Sequence, residues 1–375
     1  MLFRSVAAVL LTAVVLVSCE PGPAGLFALL EEEEPLDKGT AAFNANTAAF
    51  VTRAGTYYYA AVGATLLRRP VAGGAWVGVT VTGAPAGSMI SSGVTDGTIL
   101  YISYAPAADA IFSFDGTTWD STYDDLSTGN PVQSLLMADN DQLFAITQTS
   151  SGTSSSDYST EYSIYYETVL GAGTFLPAGV TSVACGIPGA IARNGANYWI
   201  VAGNKVFTGA REALVEDAIP ADISANKPAF GAWFDGVRVI VSGTGYLFNA
   251  SAAYAKSATF GSSERRLSSV IIVPANAASG ATDAVLVGVK SWASDKYTGY
   301  YEYDADDNAT FGSVVPSSAY DMVSNNSNYV TTLDDLSIEG FYYDSVGQVL
   351  FARTVKGGLW SNTSRCGAWS GWDRE

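Results

Sequence analysis

Histidine is absent from this chain, and only 19 of its 375 residues are lysine or arginine. Without imidazole there is no Ser-His-Asp triad, no Cys-His pair and no His-x-x-x-His zinc site. Against 36 acidic residues the few basic ones leave a formal net charge of −17. That excess repels phosphates and excludes a nucleic-acid backbone as partner. No glycine-rich phosphate loop with a following lysine occurs either. Cysteine appears three times. Cys185 and Cys366 lie far apart and in repeat units that are not neighbours, whereas a disulfide needs Cα atoms within about 7 Å. Both are expected as unpaired, buried thiols. Charge is scarce at 15% and apolar residues make up 48%, so the chain is not a disordered one.

What is abundant is aromatic and turn-forming: 8 Trp, 21 Tyr, 16 Phe and 38 Gly. That mixture favours many short strands over helices. A single pattern recurs along the chain. A polar turn such as Thr95-Asp96-Gly97, Arg193-Asn194-Gly195 or Phe234-Asp235-Gly236 leads into an apolar strand. These strands are Tyr57-Tyr58-Tyr59, Ile99-Leu100-Tyr101, Leu143-Phe144-Ala145, Tyr198-Trp199-Ile200, Val237-Arg238-Val239, Val285-Leu286-Val287 and Val349-Leu350-Phe351. A further strand follows with a pair of large residues: Leu66-Leu67, Ile111-Phe112, Ile164-Tyr165, Val206-Phe207, Leu247-Phe248, Tyr300-Tyr301 and Leu359-Trp360. Then a large apolar residue opens a last strand: Trp76, Trp119, Phe175, Leu214, Tyr254, Phe311 and Trp369. Four short antiparallel strands at this period predict an all-β, seven-bladed β-propeller over residues 46–375. The large residues opening the last strands are then expected between blades, each contributing about 1.5–3 kcal/mol by burial.

Residues 1–18 read as a secretory signal, with Arg4 ahead of an apolar run over 6–17. The run is shorter than the roughly 20 residues a membrane-spanning helix needs. It ends in Leu16-Val17-Ser18-Cys19, which resembles a bacterial lipobox. The resemblance implies that Cys19 becomes the first mature residue and carries acyl lipid; the other reading is an ordinary cleavable signal. Residues 19–45, rich in Pro and Glu, form an expected solvated tether. The expectation is an exported protein, anchored by lipid to the bacterial cell envelope on a face that the sequence leaves open.

The repeat, with the closing Gly358-Leu359-Trp360-Ser361 and Trp372-Asp373-Arg374-Glu375, resembles propeller lipoproteins of spirochaetes. That resemblance implies a location more than an activity. Ser113-Phe114-Asp115-Gly116-Thr117-Thr118-Trp119 is similar to the Asp-box hairpin of sialidase-like propellers, one residue short between Asp115 and Gly116. In those families the box is a folding element and shows no catalysis.

Strand alternation puts the turns between first and second, and between third and fourth, strands on one face. The second-to-third turns and the crossings between blades share the other. The extended segments 149–160, 177–188, 218–228, 291–298 and 316–337 fall mostly on that second face, where binding usually resides. Their aromatics Tyr158, Trp292, Tyr297, Tyr320 and Tyr329 are the candidate binding residues. With Asp295, Asp321, Asp334 and Asp335 they would suit sugars, or basic peptide or protein surfaces. Asp304, Asp306 and Asn308 occupy alternate positions of one acidic stretch and could chelate Ca²⁺; the other reading is an acidic hairpin tip, since the stretch lacks the rest of an EF-hand loop. No other cofactor is expected. Arg53 and Arg193 stand on first strands near the ring centre, where sialidase-like propellers hold an arginine cluster, but a third is missing. The functional reading is a membrane-anchored ligand- or protein-binding module. A glycan-cleaving propeller enzyme and an envelope-assembly scaffold stay open as alternatives.

Overall fold

The computed structural model describes residues 42–43, 47–150, 158–224, 226–234, 236–259, 265–274, 284–290, 299–304, 320–323, 333, 336–363 and 372–375. Within them the chain forms seven antiparallel sheets arranged as a ring, the predicted β-propeller. Blade 1 comprises Val51–Ala54, Tyr57–Val62, Thr65–Pro70 and Val77–Val79. Blade 2 begins at Met89–Thr95, blade 3 at Val132–Ala138, blade 4 at Ala190–Asn194 and blade 5 at Gly231–Phe234. Blades 6 and 7 begin at Arg266–Val273 and Ile338–Asp344. Each first strand touches the first strand of the next blade, and that of blade 7 touches that of blade 1. Blade 3 carries an additional short strand, Val183–Ala184, paired to its third strand Glu161–Glu167.

Period-two alternation on two-sided sheets explains the ring. Each core lies between two blades rather than within one. Tyr59 and Leu66 pack toward blade 2, whereas Tyr58 and Leu67 pack toward blade 7. The same division runs through every third-strand pair. Its first residue (Ile111, Ile164, Val206, Leu247, Tyr300, Leu359) faces the following blade, and its second faces the preceding one. Trp76, Trp119, Phe175, Leu214 and Tyr254 all pack against the preceding blade. Within its own blade Trp119 also stacks on Phe114, at 4.5 Å between ring centroids.

Three expectations are corrected. The fourth strand of blade 6 is Tyr320–Val323 rather than a strand opening at Phe311. In blade 7 the fourth strand is Asp373–Arg374. Trp372, buried against Tyr300 with its indole N–H donating to the phenol oxygen at 3.1 Å, fills the place assigned to Trp369. The second strand of blade 5 starts at Val239, because Val237 is largely exposed in the preceding turn. Phe311 and Trp369 lie outside the described residues. Cys185 is buried and free, its thiol pushed up to about 12 by burial; Cys366 lies outside the described residues.

Every blade is made of consecutive strands, so among the described residues no strand from the start of the chain completes blade 7. Side chains close the seam instead. Arg353 donates Nη1 to the carbonyls of Ala49 (2.7 Å) and Ala48 (3.3 Å). Asp344 accepts from Arg53 (3.0 Å) and from the Tyr58 hydroxyl (2.7 Å). Glu375 accepts from Arg69 and from the Trp76 indole. Phe43 packs on Trp76 at 5.2 Å, edge to face. Burial alone would raise the Asp344 carboxyl. The Tyr58 and Arg53 donors, with the N–H groups of Val346 and Gly347, overcome it and hold the carboxyl below its ordinary value.

A carboxyl depressed in the folded state stabilises fully above its unfolded pKa of about 3.9 and loses that contribution as pH falls through the folded value. Asp344→Asn is therefore expected to cost about 1–3 kcal/mol at pH 7. Urea unfolding should show the gap from the parent protein closing on acidification toward pH 3; a gap that stays constant would reject this account of the seam.

Candidate functional site

The inner edges of all seven first strands bound a central channel of about 510 Å³. Where seven strands converge, side chains must be small. Ser91, Ser92, Gly93, Gly231, Ser269 and Gly340 occupy its wall. A Cβ on Gly93 would stand 2.4 Å from the ring of Phe50. The serines also join neighbouring inner strands. Ser91 donates to the Val132 carbonyl at 2.8 Å, and Ser92 to that of Leu135 at 3.3 Å.

The channel mouth on the face of the blade crossings is charged. Lys290 and Arg353 stand near the ends of the second strands Ala284–Lys290 and Val349–Thr354. Glu339, on the first strand of blade 7, accepts from Lys290 at 2.8 Å. The Lys290 ammonium also lies over the Phe230 ring, 5.2 Å from its centroid. Arg266 is the cross-strand partner of Lys290. Burial pulls the Arg353 guanidinium down from its ordinary pKa, and Glu339 opposes that. Arg353 Nη2 lies so close to Gly340 that a Cβ there would come within 2.7 Å of it. Ile187, at 54% exposure, adds an open apolar surface to the same wall.

At the opposite end of the channel lies a cavity of about 590 Å³ between blades 7, 1, 2 and 3. Its arginine is engaged by structure: Arg53 donates Nε to the Gly55 carbonyl and Nη1 to Asp344. Arg193 repeats the arrangement one half-turn away, with Nε on the Gly195 carbonyl and Nη1 on Asp141 at 2.5 Å. Both bind a carboxylate of the preceding blade. They act as latches between blades, and the structure does not bring them into one cluster.

Tyr158 is half-buried and packs its ring against Gly186 and Gly203, so that a Cβ on Gly203 would stand 2.7 Å from Cε1. Burial raises its phenol, and Arg266 partly offsets that. Tyr320 belongs to the fourth strand of blade 6, in register with Glu302, rather than to a crossing segment. Asp304 ends the third strand of that blade, opposite Ala284. Cys19, Trp292, Tyr297, Tyr329, Asp306 and Asn308 lie outside the described residues. Lys290, Glu339, Arg353 and Phe230 were not singled out from the sequence. The available signal was a positive charge placed late in an otherwise apolar second strand, in two blades.

A ring of seven antiparallel sheets around an open channel defines a β-propeller. No family model matches the chain, and no curated protein is similar to it in sequence. Solved structures share the fold. The extracellular domain of the one component system BT4673 from B. thetaiotaomicron is 14% identical over 84% of this chain, with a TM-score of 0.56. The match spans only 38% of the length of that neighbour. YCF48 bound to D1 peptide is 12% identical over 87% of this chain and 94% of that one, TM-score 0.56. A chain of the mitotic checkpoint complex is 11% identical over 83% of this chain and 87% of its own, TM-score 0.53. At such identities the likeness is one of fold.

Gly93→Ala is expected to destabilise by about 1–3 kcal/mol, because the Phe50 ring must move. Gly78→Ala, with open space at its Cβ, should stay within about 0.5 kcal/mol of the parent. Denaturant midpoints of the two variants check this; equal midpoints would mean that the inner wall is not close-packed.

Proposed function

We propose that this protein is an exported, lipid-anchored envelope protein whose propeller is a binding module, with its ligand at the channel mouth on the crossing face. The observation that carries the reading is the mouth itself. It is open, it is lined by strands of all seven blades, and it holds charged and aromatic side chains on the face that the longer segments share. The other end of the channel has its arginine tied into the ring. Two neighbours support the reading by analogy: one is an extracellular domain, the other was captured with a peptide. The anchor rests on the sequence around Cys19 and the run before it.

Cys19→Ser in the full chain, expressed with its leader in a bacterial host, should move the protein from the membrane to the soluble fraction. Retention at the membrane would reject the anchor. The full chain should also be screened on glycan and peptide arrays. Trp292→Ala or Tyr329→Ala is expected to weaken the best interaction by about tenfold or more, as for aromatic anchors of an interface. Full binding by both variants would place the ligand elsewhere.

A further inference from the structure

Among the described residues the mouth sets two cations, Lys290 and Arg353, around one carboxylate, in a protein whose net charge is −17. Lys290 bonds Glu339, and the Arg353 guanidinium feels the same carboxylate. Arg353 is also incompletely used. Its Nη1 serves the carbonyls of Ala48 and Ala49, and these are its only hydrogen bonds to described residues. A guanidinium offers five N–H donors in a plane, so donors remain for a planar acceptor at the channel wall. The Arg353 guanidinium is partly desolvated, where a charge-assisted bond is stronger than in water.

We infer that the mouth holds a carboxylate-binding subsite, formed by Arg353 and Lys290, that accepts the C-terminal end of a peptide. This rests on reading the mouth as the ligand site, and it names what the ligand presents there. Three observations favour a peptide end over a sugar acid. The first strands pair on one side only, so their inner edges offer backbone N–H and C=O groups to an extended chain. Ile187 supplies an exposed apolar surface for a side chain. The ring of Phe230 already carries the Lys290 ammonium on one side, which leaves less of it for stacking on a sugar. Glu339 already bonds Lys290 and would compete with an incoming carboxylate for it.

The test is calorimetric titration of the full chain with N-acetyl-Ala-Leu-Ala as free acid, with the same tripeptide as C-terminal amide, and with glucuronate. The acid should bind about tenfold or more tighter than the amide. Lys290→Gln and Arg353→Lys should each remove most of that preference. Glu339→Gln should tighten the acid severalfold and leave the amide unchanged, because it removes a rival carboxylate, a gain that a purely structural role would not produce. Arg353 also closes the ring, so melting temperatures accompany each titration; if Arg353→Lys does not fold, Lys290→Gln and Glu339→Gln decide. Equal binding of acid and amide, an indifferent Glu339→Gln, no binding of any probe, or glucuronate tighter than the acid each overturns the peptide subsite. If the array partner still depends on Trp292 and Tyr329 in that event, the binding-module reading stands without the subsite.

Discussion

A sheet that is apolar on both faces cannot be stable alone in water, and every blade here is such a sheet. The second strand of blade 1 sends Tyr59 one way and Tyr58 the other. Each blade therefore depends on two neighbours, and the dependence ends only when the last sheet meets the first. The energetic unit is the gap between blades. The third-strand pair fills two gaps at once, one residue to each. The large residue before the fourth strand adds weight to the gap behind it. Closing the circle also leaves the outer strands as the exposed edges, and several of these are only two or three residues long.

The seam between blades 7 and 1 meets this requirement by an uncommon mixture of forces. An apolar core containing Phe43, Phe351 and Leu359 lies beneath it. Around that core sit three charge-assisted contacts, centred on Arg353, Asp344 and Glu375. Arg69 lies over the rings of Tyr58, Trp76 and Phe351 while bonding Glu375, so one side chain couples aromatic packing to an ion pair. One of these contacts recurs between blades 3 and 4, where Arg193 bonds Asp141, but another seam is built differently. Between blades 2 and 3 a fully buried Glu167 accepts from Tyr123 and from the Gly173 N–H. There burial keeps the carboxyl above its ordinary value despite those donors. The same residue type is thus held in opposite senses at two seams of one ring.

The architecture was legible because it rests on repeated local choices. The third-strand pairs were read in all seven units, and each lies in the third strand of its blade. Each pair sends one residue to either face, so the pattern persists although second strands run from four to nine residues. The fourth strands were less legible. They are short, they pair on one edge only, and a large apolar residue can precede them at different distances. Hence Trp372 could be mistaken for Trp369, and a strand at Tyr320 for a loop. The mouth was harder still. Lys290, Glu339 and Phe230 come from three blades and meet only because the ring brings strand ends together. No spacing in a linear sequence encodes that meeting. Arg53 and Arg193 illustrate the converse: the sequence suggested a shared centre, but each guanidinium is drawn to the nearest carboxylate of the preceding blade.

The contact between Arg353 and the carbonyls of Ala48 and Ala49 sits where the leading segment enters the ring. Thr47, just before it, accepts from the Lys356 N–H across the same junction. Tension applied through that segment would first pull on Phe43, buried against Trp76, and then on this grip, ahead of the first strand. The load would then pass through the hydrogen bonds to Arg353, with the first strand of blade 1 behind them. The joint that completes the circle is therefore also the one that bears mechanical force from the direction of the chain's leading end.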